Sequence, residues 1–299
     1  MSNLDSLLGK LAEKEKNALD IADTLELLPA DKWKDRAAKI RGCGSEVTFA
    51  LCPICQTAHI RHVKLCRDRL CPACAWRLAR RRVGVLSAAL AHLAQTAPAR
   101  LFPIMLTLTV ENVPPDGLKA ACEGMLQAYG RLIKQKAYKA AIAGHARTLE
   151  ITYNQDEDTF HPHIHALLLY KPGQYIEQPQ WADMWKAAEK LPYTPVTDVR
   201  AAYNPKETAA GSPDAWLKTS AEVAKYITAP DSLQALSPYN LSMLGEAIEG
   251  RRIHTLGGII KDAAAATKRT DPPGLVCSHC KNTMEEVTFK KHGAADYYN

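Results

Sequence analysis

Cysteine placement constrains this chain more than any other feature. It has nine cysteines in 299 residues. Eight of them, Cys43, Cys52, Cys55, Cys66, Cys71, Cys74, Cys277 and Cys280, sit in two short tracts, and six of those form Cys-x-x-Cys pairs. A disulfide scaffold is expected in a secreted and usually much shorter chain. The N-terminus, MSNLDSLLGKLAEKEK, alternates charge with Leu and has no apolar signal-peptide core. No run of about 18 apolar residues offers a membrane span. The sequence therefore points to a cytoplasmic protein whose clustered cysteines bind metal, and it excludes secreted, membrane and disulfide-stapled classes.

The spacing suggests how the thiolates group. Cys52-x-x-Cys55 and Cys71-x-x-Cys74, with 15 residues between the pairs, have zinc-ribbon spacing. Cys43 and Cys66, with His59 and His62 nearby, leave room for a second ion. A pairing with Cys277 and Cys280 is equally open. The ninth cysteine, Cys122, falls on the apolar face of a predicted helix and reads as core.

Periodicity supplies the rest of the fold. Leu4, Leu7, Leu8 and Leu11, then Leu25, Leu27 and Leu28, predict amphipathic helix ending near Pro29. Val83, Leu86, Leu90 and Leu93 recur at helical spacing, as do Leu118, Cys122, Met125, Leu126, Tyr129, Leu132 and Ile133. Residues 104–110 alternate apolar residues with Thr, which predicts a strand with one wetter face. Residues 147–153 and 163–170 predict two more strands, joined across the acidic turn at 154–159 as a hairpin. Residues 172–212 carry no clear period, and a helix is predicted over roughly 214–228. Strand, helix, hairpin and helix in that order give an α+β fold with an antiparallel sheet and flanking helices. Gly257-Gly258 lacks the spacing of a phosphate loop. The expected segments are a helical stretch at 1–40, a cysteine-rich zinc module at 41–82, a main domain at 83–266 and a small tail at 267–299.

The sharpest motif is His161-Pro162-His163-Ile164-His165 at the start of a strand. Alternate strand side chains share a face, so His163 and His165 point together and can hold one divalent ion, while Leu167 and Leu169 carry that face into a core. Glu150, on the other arm of the hairpin, is a candidate third ligand; a solvated or ion-paired strand carboxylate is the alternative. Glu222 and Tyr226 stand one helical turn apart, where a carboxylate and a phenol could serve as base and nucleophile. By spacing alone, Thr219-x-x-Glu222 reads better as a capping box.

Taken together, these pieces resemble the rolling-circle plasmid replication initiators. Residues 104–112 (IMLTLTVEN), 150–169 (EITYNQDEDTFHPHIHALLL) and 222–227 (EVAKYI) look like the family's three successive motifs. CRDRLCPACAWR (66–77) looks like the cysteine segment that precedes them in one branch, and RRIHTLGGIIKD (251–262) like the segment that follows the tyrosine. The resemblance covers roughly residues 36–265. It implies a metal-dependent single-strand endonuclease of the His-hydrophobic-His class, with an RRM-like antiparallel sheet carrying the histidines on a central strand. On this sequence it implies Tyr226 as nucleophile, His163 and His165 as ligands of Mg²⁺ or Mn²⁺, and Glu222 as the group that activates water at termination. It implies plasmid origin DNA, single-stranded at the nick, as substrate, with a host helicase and polymerase as partners. The family's cysteine pattern emphasises Cys43, Cys66, Cys71 and Cys74 rather than the ribbon spacing. A lysine that relatives carry one turn after the tyrosine is replaced here by Ala229 and Pro230, and Lys225 is the substitute at hand.

Basic residues surround the first tract. Arg67, Arg69, Arg77, Arg80 and Arg81 are candidate phosphate contacts, with Arg77, Arg80 and Arg81 on one helical face. The net charge of +6 leans the same way. Two rivals stay open: a rolling-circle transposase with the same nicking chemistry, and a zinc protein that binds nucleic acid without cutting it.

Overall fold

A computed structural model describes residues 3–97, 101–202, 233–267, 275–292 and 296–298. The chain divides into two compact units, one of residues 1–78, 233–242 and 269–299, the other of residues 79–232 and 243–268. The units do not follow the four consecutive segments read from the sequence, because the first gathers residues from both ends of the chain.

The first unit opens with two helices, α1 (Asn3–Glu26) and α2 (Asp31–Arg41), separated by Pro29, which cannot continue a helix. α1 buries Ala18, Ile21, Ala22 and Leu25 at three- and four-residue spacing, and α2 buries Trp33, Ala37 and Ile40. Arg41 pairs with both Asp23 and Glu26 and ties the two helices together. The cysteine tract then folds as a hairpin of β1 (Glu46–Leu51) and β2 (Ala58–Val63). The C-terminal segment supplies β8 (Glu285–His292) and β9 (Asp296–Tyr298), and the sheet order is β2-β1-β8-β9. The tail is therefore not a small separate piece. β8 runs antiparallel to β1, with Thr48 and Thr288 paired at 2.9 Å between hydroxyls and Phe289 edge-on to Phe49 at 5.7 Å. Val47, Phe49, Ala58 and Val63 form the core of this unit's sheet.

The second unit is built on a five-stranded antiparallel sheet of order β6-β3-β5-β4-β7: β3 (Phe102–Thr109), β4 (Ile142–Asn154), β5 (Thr159–Tyr170), β6 (Thr197–Ala201) and β7 (His254–Gly258). The predicted hairpin is β4–β5, paired over nearly its whole length, and β5 lies at the centre. The unperiodic stretch at 172–212 holds α6 (Gln178–Glu189) and β6; β6 and β7 lack the long alternation that marks the inner strands. α3 (Pro72–Thr96), with Pro at its first position, crosses the division between the units. Its residues Leu86, Ala89, Leu90 and Leu93 cover Met105, Ala146, Leu167 and Leu169 on one sheet face, together with Ile260 of α8 (Ile259–Ala266). On the opposite side, α6 donates Trp185 Nε1 to the Thr109 carbonyl and Trp181 Nε1 to the Tyr170 hydroxyl. α4 (Leu118–Leu132) joins α6 through Arg131 Nε to the Ala188 carbonyl, and buries Cys122 completely. Two further α-helices, α5 (Lys136–Ala141) and α7 (Pro238–Ile248), and two 3-10 turns, Pro115–Gly117 and Leu233–Ala235, complete the described elements. Gly257 is required by packing: a Cβ there would lie 2.3 Å from the His145 ring.

Candidate metal centre on the central strand

The register of the sheet decides which side chains meet. Residues directly opposite in neighbouring strands share a face. His163 lies opposite Thr109 of β3 and Glu150 of β4, and His165 opposite Thr107 and Thr148. Two imidazoles, one carboxylate and three threonine hydroxyls therefore occupy one patch, at the end of the face that Leu167 and Leu169 continue into the core. His163 Nε2 is 3.2 Å and His165 Nε2 2.9 Å from the same atom, Glu150 Oε2. The patch is largely dry, with His163 9% exposed.

Hydrogen bonds on the far side of each ring set its orientation. His163 Nδ1 lies 3.1 Å from the His161 carbonyl oxygen, an acceptor only, so Nδ1 carries the proton. The Nε2 lone pair of a neutral ring then faces Glu150. His165 Nδ1 is held at 3.1 Å by the Thr107 hydroxyl. Rings fixed this way from behind are the usual state of metal-ligating histidines. Burial pushes the Glu150 carboxyl up, but the His163 and His165 imidazoles beside it outweigh burial and hold the group down at about 2. Glu150 is thus an anion at neutral pH. Nitrogen, nitrogen and carboxylate oxygen, all within 4.8 Å of one another, could hold a divalent cation.

Two neighbouring histidines were not given a site role from the sequence. His161 has the parity of His163 and lies tilted against it at 5.3 Å between centroids, yet stands outside the ligand group. His254, on β7, is bonded at 3.0 Å to Thr148, so the row Thr107, His165, Thr148, His254 runs across four strands. Burial, with Arg82 and Arg147 nearby, lowers His254 to about 4 and keeps it neutral. Its signal was its place inside the RRIHTLGGIIKD segment. Tyr226, Glu222 and Lys225, with the predicted helix at 214–228 and its capping box, lie outside the described residues.

The cysteines form two further groups that could each hold an ion: Cys43, Cys66, Cys71 and Cys74, and Cys52, Cys55, Cys277 and Cys280. The ribbon spacing, which joined Cys52 and Cys55 to Cys71 and Cys74, is overturned. The β1–β2 hairpin carries the first Cys-x-x-Cys pair into its turn, while Cys71 and Cys74 open α3 beside Cys43. Neither His59 nor His62 belongs to a ligand group among the described residues. In the first group, Cys43 and Cys66 each lie 3.5 Å from Cys74 Sγ, which also accepts the Arg67 backbone N–H at 3.2 Å. Hydrogen bonds from Cys43, Cys66 and Cys71 pull the Cys74 thiol strongly down, favouring the thiolate that a metal needs. The loop between Cys66 and Cys71 is fixed by a two-pronged ion pair, Arg36 to Asp68, at 2.8 Å for both contacts, which the sequence did not reveal. Of the candidate phosphate contacts, Arg67, Arg80 and Arg81 are exposed, and Arg69 and Arg77 are half-buried.

Fold and site define an α+β protein with a histidine–carboxylate group on a central strand and two four-cysteine groups, each of which could hold a metal ion. The family model described as replication protein matches residues 57–298. "Protein rep" of Bacillus amyloliquefaciens is 30% identical over 83% of this chain and 79% of its own length. "Protein rep" of Lactiplantibacillus plantarum is 30% identical over 88% and 84%, and "Protein rep" of Streptococcus pneumoniae 32% identical over 66% and 61%. The chain belongs to the replication protein family, in line with its resemblance to the plasmid replication initiators. No solved structure matches it.

Proposed function

We propose that the protein starts rolling-circle replication by nicking plasmid origin DNA. The observation that carries this reading is the convergence of His163 Nε2 and His165 Nε2 on Glu150 Oε2. Mg²⁺ or Mn²⁺ held by these three residues would neutralise charge on the scissile phosphate, which otherwise repels a nucleophile. Tyr226 is the proposed nucleophile. Its phenol has an ordinary pKa near ~10, so its proton must be drawn off as the oxygen attacks. The tyrosine oxygen bonds to phosphorus, the P–O3′ bond breaks, and the 3′ oxygen takes up a proton. The products are a 5′-phosphotyrosine and a free 3′-OH primer. Glu222 is the proposed base that takes a proton from water when the phosphotyrosine is hydrolysed at termination. Zn²⁺ in the Cys43, Cys66, Cys71 and Cys74 group would be structural.

Arg67, Arg69, Arg77, Arg80, Arg81 and Lys225 are proposed to contact DNA phosphates. A host helicase and polymerase would extend the primer in the cytoplasm. The match to the family model described as replication protein favours this reading over the transposase. The test is incubation of purified protein with supercoiled plasmid carrying its own origin. Open-circular DNA should appear with Mg²⁺ or Mn²⁺ and vanish with chelator. No nicking with any divalent ion, despite origin binding, would leave a non-catalytic DNA-binding protein.

A further inference from the structure

Cys52, Cys55, Cys277 and Cys280 come from opposite ends of the chain, and their backbones adopt the same shape. In the first pair, the Cys52 N–H donates to the Thr57 carbonyl at 2.9 Å and the Gln56 N–H donates to the Cys52 carbonyl at 3.0 Å. In the second, the Cys277 N–H donates to the Asn282 carbonyl at 2.8 Å and the Lys281 N–H to the Cys277 carbonyl at 3.0 Å. The offsets are identical. The residue after the second cysteine is left-handed in both, Gln56 at φ 56° and Lys281 at φ 62°. The Cβ of a non-glycine residue disfavours that conformation, so two such residues at matching positions mark a turn held from outside.

The sulfurs face one another. Cys52 Sγ lies 3.4 Å from Cys280 Sγ, and Cys55 Sγ lies 3.5 Å from both Cys277 Sγ and Cys280 Sγ. All four fall within 4.8 Å of one another. A disulfide needs about 2.05 Å, whereas sulfurs tetrahedral about zinc, each at about 2.3 Å, lie roughly 3.8 Å apart. Asn282 donates to Cys280 Sγ at 3.3 Å, as a thiolate acceptor requires. Cys52 and Cys277 are fully buried, packed with Ala50 and Met284.

We propose that these four cysteines form a second structural zinc centre, a symmetrical double knuckle that fastens the C-terminal hairpin to the N-terminal sheet. The second knuckle leads directly into β8, whose pairing with β1 runs from Leu51–Glu285 to Glu46–Lys290. The ion thus sits where the two strands meet and fixes their register across more than 220 intervening residues. Its binding energy would go into closing that loop, the step with the largest entropic cost in this unit. The inference stands independently of the nicking reading.

The test is metal analysis of the desalted full chain, with His163→Ala/His165→Ala run beside it so that zinc held by the histidine centre is counted separately and subtracted. Wild type should hold two zinc ions. Cys277→Ser/Cys280→Ser and Cys52→Ser/Cys55→Ser should each hold one, and the four-fold variant still one. Cys66→Ser/Cys74→Ser should also hold one, and adding it to either pair should leave none. A wild-type content of one, or two zinc ions retained by Cys277→Ser/Cys280→Ser, would overturn the proposal. So would iron, or a Cys52–Cys280 disulfide, in place of zinc. If the variants aggregate, wild type loaded with ¹¹³Cd decides by NMR: two four-sulfur resonances are expected, and a single one overturns it.

Discussion

A neutral His163 cannot serve both of its neighbours. The His161 carbonyl takes the Nδ1 proton, leaving a lone pair aimed at the Glu150 anion. Either the ring is a cation or a cation sits between them, and a divalent ion satisfies His163, His165 and Glu150 at once. His163→Ala or His165→Ala should therefore cut nicking by about 10²-fold or more, since such ions supply several kcal/mol of charge stabilisation, with the circular dichroism of the fold kept. Wild-type nicking by both variants would remove the metal assignment. Thr107 only orients His165, so Thr107→Val should raise the metal concentration for half-maximal nicking by about tenfold or more, with the rate restored at saturation. An unchanged metal dependence would make the contact incidental. Glu189 offers a different residue-scale test. Burial, against the weaker pull of Arg131, raises it to about 7. A raised carboxyl costs nothing when protonated in both states, below about 4.5, and penalises the folded state increasingly as pH climbs to about 7. Glu189→Gln should thus gain on the order of 1–3 kcal/mol in chemical denaturation at pH 8 and little at pH 4.5. An equal gain at both would refute the burial argument.

At the scale of elements, the loop between Cys66 and Cys71 depends on one ion pair. Arg36 and Asp68 are 14% and 11% exposed in their side chains, and Asp68 also accepts the Leu70 N–H. Asp68→Ala strands a nearly buried guanidinium, so thermal unfolding should show a loss of about 3 kcal/mol; a loss below about 0.5 would mean that the pair is solvated. On α3, Arg80→Ala with Arg81→Ala should weaken origin binding and lower the salt slope by about 2 if both touch phosphate. An unaltered slope would leave a solvated face. The inner strands were legible because apolar residues alternate at 104–110 and 147–153 and run unbroken at 166–170, and strand parity put His163 and His165 on one face. β6 was not legible: its burial is confined to Thr197. The first cysteine pairing misled because spacing along the chain does not report which turn a hairpin carries to which neighbour. Asp68 gave no signal, since its partner is 32 residues away.

At the scale of the molecule, strands far apart in sequence, Glu46–Leu51 and Glu285–His292, pair in one sheet. Only a β1–β8 register, invisible in local pattern, could assign Cys277 and Cys280 to the N-terminal sheet. The family, by contrast, was readable from the sequence, and its model matches residues 57–298. The central claim joins the metal centre at Glu150, His163 and His165 to a nucleophile at Tyr226. It is tested most directly by trapping the protein on a labelled single-stranded origin oligonucleotide with Mn²⁺ and mapping the linked peptide by mass spectrometry. The account requires a 5′-phosphoryl link to Tyr226, absent with chelator and absent in Tyr226→Phe, which should still bind the oligonucleotide. A link to another residue, or cleavage with no covalent adduct at all, would contradict it.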